Sequence, residues 1–267
     1  MKKNDSEIKE VIKDKYTQIA LKQVVDEKPC CSCSSATGTY TSFSQDYSQT
    51  EGYAAVADLK LGCGIPTEAA RIKPGDTVLD LGSGAGNDVF VARSLVGSSG
   101  KVIGLDMTEA MVEKARQNAK TLGYSNVEFH LGEIEKIPLP EQCIDVVISN
   151  CVLNLVPHKP KAFAEIMRVL KKGGHFSVSD MVLNRDLPKE LKGVAELYAG
   201  CVAGALPKNE YLQIISAAGF QNVQVVLEKP RPLSDDVLNQ YLTPQQVAEF
   251  TSQPPCLLSI TVYGERG

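Results

Sequence analysis

The chain has 267 residues, 43% hydrophobic and 22% charged, with a net charge of −4. That length suits one large hydrophobic core with additions, and the acidic balance leaves no electrostatic footprint for nucleic acid or an anionic membrane. From Met1 to Lys28 the chain is charged throughout, with no apolar stretch of signal-peptide type, and no run approaches the roughly eighteen apolar residues of a membrane span, so the expected location is the cytoplasm.

Apolar residues at Ile8, Val11, Ile12, Tyr16, Ile19 and Ala20 recur with helical period and predict a helix over Ser6–Lys22. Lys28–Tyr53 is rich in Ser, Thr, Gly and Cys without periodicity and reads as a long, irregular, mobile segment. Regular alternation begins after the Pro74-Gly75 turn. Thr77-Val-Leu-Asp-Leu81 is a strand, followed by the turn Gly82-Ser-Gly-Ala-Gly86 and a helix from about Asp88 to Leu95. Lys101–Asp106 is a second strand, and Thr108 is placed to cap a helix over Glu109–Leu122. Val127–Leu131 is a third strand, and Ile144–Ser149 a fourth, with the continuous apolar character of a strand buried on both faces. Lys161–Leu170 is helical and closed by Gly173-Gly174, and His175–Asp180 is a fifth strand. Beyond it, Leu187–Gly204 reads as a helix interrupted by glycines, Lys208–Ala218 as a helix, and Asn222–Leu227 and Leu257–Tyr263 as strands, with helices inserted over Asp235–Thr251. Strands alternating with helices of this length predict an α/β, doubly wound, mostly parallel sheet.

A glycine-rich turn between a first strand and its helix lets a ligand approach the backbone closely. The spacing Gly82-x-Gly84-x-Gly86 differs from the G-x-G-x-x-G of dinucleotide enzymes, and the acid Asp80 ends the strand. An ammonium and a ribose suit that acid better than a pyrophosphate. Asp106, about twenty residues on, is placed to accept hydrogen bonds from ribose hydroxyls. The phrase Val78-Leu-Asp-Leu-Gly-Ser-Gly-Ala-Gly86, with Asp106, resembles the S-adenosylmethionine site of the Rossmann-like methyltransferases over roughly residues 70 to 180. That resemblance implies cofactor contacts from Asp80, Gly82, Ser83, Gly84, Gly86, Asp106 and Met107. It also implies adenine contacts from Gly132, Glu133 and Ile134, and places Asn150 and Cys151 beside the transferring methyl.

Methyl transfer to O, N or C normally calls for a base. His130, His158 and His175 show no grouping, and Asp180 at the end of the fifth strand suits a cleft or a cap equally well. The eight cysteines are the better lead, because convergent thiols in a reducing compartment mean metal binding or redox chemistry more often than stapling. Gly62-Cys63-Gly64, Ile148-Ser-Asn-Cys-Val-Leu-Asn-Leu155, Cys201-Val-Ala-Gly-Ala-Leu206 and Gly104-Leu-Asp-Met-Thr108 resemble the arsenite methyltransferase family over most of residues 50 to 210. The resemblance implies that Cys151 and Cys201 bind arsenic with Cys63 as third thiol. One of Cys30, Cys31 and Cys33 would then be the N-terminal cysteine of the set, with Cys33 a candidate fourth thiol; the adjacent cluster departs from the family's single cysteine.

The chemistry agrees with that resemblance. Trivalent arsenic is thiophilic by the hard–soft logic used for metals, and its lone pair attacks a sulfonium methyl without a general base, which leaves the protein the task of positioning. The implied partners are arsenite and methylated arsenicals, with an external thiol reductant, thioredoxin or glutathione, and no nucleic acid or membrane; a monomer is expected. The expected organisation is an N-terminal helix and Cys-containing segment over 1–53, a Rossmann-like cofactor domain over 54–183, and an acceptor-site cover with the final strands over 184–267. An organic acceptor such as a quinone or sterol-like ring would call for an aromatic-lined pocket, yet the chain has no Trp and 6% aromatic residues. A zinc or metalloid-binding protein would call for paired ligands, and Cys30-Cys-Ser-Cys33 supplies half of such a site.

Overall fold

A computed structural model describes residues 5–21, 44–191 and 204–267. The elements in chain order are α1 (Asp5–Leu21), α2 (Pro66–Ala69), β1 (Thr77–Leu81), α3 (Asn87–Val96), β2 (Lys101–Asp106), α4 (Glu109–Thr121) and β3 (Val127–Leu131). They continue as β4 (Ile144–Asn150), α5 (Lys159–Val169), β5 (Leu170–Leu183), α6 (Lys208–Ala217), β6 (Gln221–Pro230), α7 (Asp235–Leu238), α8 (Pro244–Thr251) and β7 (Leu257–Glu265). The seven strands form one sheet in the order β3-β2-β1-β4-β5-β7-β6. Pairing is parallel from β3 through β5, and β7 runs antiparallel to both β5 and β6.

The apolar runs of β1 and β4 fall at the centre of this sheet, where helices cover both faces, which is why they are continuous and not alternating. Across one face Phe163 of α5 packs against Phe176, Tyr211 and Phe220 with ring centroids 5.8–6.4 Å apart. Such pairs contribute about 0.5–1.5 kcal/mol each beyond their buried area. The other face carries Phe90 and Phe129, at 6.1 Å. Helix α1 buries Ile12 and Ala20, and Lys114 of α4 donates to its last turn at Ala20 O, 3.1 Å. No helix among the described residues is long and apolar enough to cross a membrane.

Two sequence expectations are corrected by the structure. The fifth strand is not confined to His175–Asp180 but runs from Leu170 to Leu183, and Gly173-Gly174 lies within it and does not close α5. The register explains why: Ile144 pairs with Leu170 and Val146 with His175, so the intervening residues loop out as a bulge. Arg266 fastens that bulge, its Nη1 donating to the carbonyl of Met167 and its backbone N–H to Gly174 O. Second, Thr108 occupies the N-cap of α4 without a side-chain cap bond; its backbone N–H is instead donated to Asp106. Of the helix expected over Leu187–Gly204, residues 187–191 hold a turn, with Leu191 N–H on Pro188 O at 3.1 Å; the remainder, with Cys201, lies outside the described residues, as do Cys30, Cys31 and Cys33.

Candidate active site

The carboxyl ends of β1, β2, β3 and β4 meet at one cleft, partly open to solvent. This is where α/β sheets place their ligands. The turn after β1 forms its floor. Gly82 and Ser83 donate their N–H groups to Leu105 O at 2.7 and 3.0 Å, which pins the turn onto β2. Gly82 has φ +69°, and a Cβ there would collide with the Val152 side chain, so no other residue fits. Asp106 accepts from Gly84 N–H at 3.0 Å and from Thr108 N–H at 2.8 Å, bracing the turn against the start of α4.

Of the residues expected at the cofactor, Gly82, Ser83, Gly84, Asp106 and Met107 line the cleft, as do Gly132, Glu133, Ile134, Asn150 and Cys151. Asp80 and Gly86 lie behind its wall, Asp80 being 2% exposed. Three carboxylates nevertheless converge under the turn. Burial, then the neighbouring charges of Asp88 and Asp106, pushes Asp80 well above the usual carboxylate range, and burial raises Asp88 to about 6 and lifts Asp106 as well. Desolvated acids without a cation favour a positively charged ligand. Three buried side-chain atoms on the cleft wall, Ser83 Oγ, Asn87 Oδ1 and Gln45 Nε2, have no hydrogen-bond partner among the described residues, which leaves polar positions for a ligand to satisfy.

The cleft has a wall that sequence reasoning did not place. Lys9, Ile12 and Tyr16 of α1 line it, and Lys9 Nζ pairs with Glu133 and Glu135, both at 2.8 Å. Hydrogen bonding from Lys9 holds the Glu133 carboxyl below its ordinary range. The periodicity of α1 showed a helix, and nothing in one sequence showed which surface it covers.

At the end of β4, Cys151 opens onto the cleft with φ +61°, an unusual conformation for a residue bearing a Cβ, and its N–H is bonded to Ser179 O at 2.7 Å. Cys63, fully buried, belongs to the same apolar cluster as Cys151, Leu155 and Met181. Tyr211 donates to Asp180, and burial first, then the charge of Asp180, pushes its hydroxyl well above its ordinary range. Asn150 spans the gap between the two cysteine segments. Its Oδ1 accepts from Cys63 N–H at 3.1 Å and Gly64 N–H at 3.2 Å, while its Nδ2 reaches Gly64 O and Tyr47 Oη, each at 2.8 Å, and Asp88 Oδ2 at 3.0 Å. Tyr47 and Asp88 were not singled out in the sequence; only their contacts mark them.

No histidine lines the cleft. His175 bonds Ala70 O, His130 faces Glu128 on the surface, and His158 precedes α5. Asp180, which the sequence left between cleft and cap, does neither: it is fully buried and accepts from Tyr211 Oη at 3.0 Å. Burial, partly opposed by Lys159, raises it to about 7. The folded state therefore holds this proton more tightly than the unfolded chain, whose aspartates titrate near ~4. The stabilisation is full below about pH 4 and is lost as pH rises through about 7. Asp180→Asn, uncharged throughout, is expected to reduce the fall in melting temperature between pH 4 and 7. Thermal melts across that window check it, and parallel curves for parent and variant would count against the assignment.

The order of strands and the ligand cleft at their carboxyl ends define a methyltransferase of the Rossmann-like type, and residues 72–219 match the methyltransferase domain family. The arsenite methyltransferase of Halobacterium salinarum is 36% identical over 258 residues, 93% of this chain and 65% of that one. The human arsenite methyltransferase is 40% identical over 152 residues, 54% of this chain and 40% of its own. The crystal structure of an arsenic (III) S-adenosylmethionine methyltransferase from Chlamydomonas reinhardtii superposes with a TM-score of 0.64 at 31% identity, covering 87% of this chain and 74% of that one. The chain belongs to the arsenite methyltransferase family. It spans less than two thirds of the length of the curated relatives named here.

Proposed function

We propose that this chain transfers methyl groups from S-adenosylmethionine to trivalent arsenic, arsenite and its methylated forms, held by Cys63, Cys151 and Cys201. The observation that carries the reading is the packing of Cys63 and Cys151 in one apolar cluster, with Cys151 on the wall of the cleft. Each thiol takes the place of a hydroxyl on arsenic with release of water, so ligation leaves no net proton for a base to remove, in keeping with a cleft lined by no histidine. S-adenosylmethionine supplies an electrophilic methyl on a sulfonium. Asp106 is the acceptor for the ribose hydroxyls, Gly132 to Ile134 meet the adenine, and the buried acids under the glycine turn favour the cofactor's positive charge.

The arsenic lone pair forms the new bond to the methyl carbon as the carbon–sulfur bond breaks, its electrons staying on sulfur to give S-adenosylhomocysteine. Arsenic is thereby oxidised by two electrons, and an external pair of thiols, the dithiol of thioredoxin or two glutathione molecules, is oxidised to a disulfide as it returns arsenic to the trivalent state for another round. The setting is the reducing cytoplasm, where cysteines persist as thiols, and the physiological outcome is arsenic detoxification. Residues 1–53 and 184–267 act as additions to the cofactor domain over 54–183, and Cys33 is the candidate fourth thiol. The test is purified protein with arsenite, glutathione and methyl-labelled S-adenosylmethionine, the arsenic species then separated. Labelled methylarsenicals are expected; a protein that binds the cofactor yet leaves arsenic unlabelled overturns the reading.

A further inference from the structure

We propose that the Cys63 peptide is held in a two-sided clamp, by Asn150 with Asp88 and Tyr47 on one side and by Ser259 and Arg231 on the other. In this proposal the clamp, and not the bound arsenic, sets the position of the Cys63 thiol. The proposal rests on Cys63 and Cys151 being arsenic ligands.

The first jaw allows a single arrangement of the Asn150 amide. Its oxygen faces two backbone donors, Cys63 N–H and Gly64 N–H, and its nitrogen faces the Gly64 carbonyl and the Asp88 carboxylate. A flipped amide would set donor against donor and acceptor against acceptor. Tyr47 Oη closes the circuit, lying 2.8 Å from Asp88 Oδ1 and 2.9 Å from Gly64 O, within donating distance of both. Asn150 directly precedes Cys151, whose own N–H is tied to β5. One dipeptide therefore carries one thiol and grips the peptide that carries the other.

The second jaw comes from the far end of the chain. Ser259 Oγ of β7 donates to Cys63 O at 2.7 Å, and Arg231 Nη2, just past β6, reaches the same oxygen at 3.3 Å. Gly64 seals the fit, because a Cβ there would collide with the Ser179 side chain. Four side chains, Tyr47, Asn150, Arg231 and Ser259, bond the backbone of Cys63 and Gly64 directly, and Asp88 holds two of them, Tyr47 and Asn150. Buried polar groups are costly unless satisfied, and spending this many on one peptide is what pre-positioning a ligand requires. The strands β6 and β7 thus acquire a role that the sequence did not disclose.

Tyr47, Asp88, Ser259 and Arg231 are positioning residues, which act through Cys63, so a double-mutant cycle separates this role from general support of the fold. Arsenite is titrated by calorimetry into the full chain, with all other cysteines kept in both backgrounds so that their contribution cancels in the cycle. Tyr47→Phe and Ser259→Ala are each expected to weaken arsenite binding about five- to thirty-fold, the effect of losing one buried hydrogen bond. In a Cys63→Ser background neither is expected to add anything. Equal losses in both backgrounds, or no loss in the first, overturn the clamp while leaving the thiol ligands standing. Unchanged arsenite affinity in Cys63→Ser alone overturns the ligand reading, and the clamp with it. Should Tyr47→Phe fail to fold, Ser259→Ala completes the cycle by itself.

Discussion

Replacing Cys151 with serine is expected to abolish methylation of arsenite and of monomethylated arsenic alike. Serine keeps the volume but offers a hard, protonated hydroxyl where a soft ligand is needed. The loss should exceed the roughly 10–100-fold typical of residues that only support a ligand. Cys63→Ser should behave differently. A monomethylated arsenical has one coordination position fewer to fill, so the first methylation is expected to fail while the second persists. Cys143 provides the control, since it precedes β4 at the end of the sheet opposite the cleft and its thiol is taken by Pro140 O at 3.1 Å. Speciated product analysis on the three variants, with a thermal melt for each, checks these outcomes. A folded Cys151→Ser that methylates arsenite at the parent rate overturns Cys151 as an arsenic ligand.

Asp106→Ala is expected to weaken S-adenosylmethionine binding by about 1.5–3 kcal/mol, the scale of a hydrogen bond to a charged group. The side chain has a second task that adds to the loss. It already accepts from the N–H groups of Gly84 and Thr108, so alanine also frees the glycine turn from α4. Arsenite affinity should stay close to that of the parent, because the two thiols lie on the other side of β1, at the end of β4 and in the segment before β1. Calorimetric titration with each ligand separately is the measurement. An equal drop for both would make Asp106 a support of the whole fold.

What could be seen in the sequence was whatever local patterning controls. The bounds of β1 and β2 coincide with their apolar runs, because a parallel strand buried on both faces carries its signal in consecutive residues. The cofactor turn was visible for a similar reason, its glycines and acids sitting within one short phrase. β5 extends past its expected limits because a glycine pair that looks like a helix stop is instead a bulge, fastened by Arg266 from the other end of the chain. Tyr47 escaped notice within a Ser- and Thr-rich stretch without period, and its significance lies in partners at Asp88 and Asn150. Lys9 is one charge among many in α1 until Glu133 and Glu135 are set beside it. Cys151 and Cys63 stand out by their phrases, whereas their sharing of one apolar cluster is a product of the tertiary fold.

The antiparallel place of β7 has a bearing on biosynthesis. It lies between β5 and β6, so β6, although made first, has no neighbour to pair with until residues 257–265 have emerged. Such long-range pairing is the slow part of forming a sheet. A nascent chain stalled before Ser259 would have its glycine turn and its first five strands, but not the Ser259 hydroxyl, the nearer of the two donors to the Cys63 carbonyl. The nucleotide half can therefore mature during synthesis, whereas the thiol half waits for one of the last strands, and its geometry becomes a checkpoint on completion of this part of the chain.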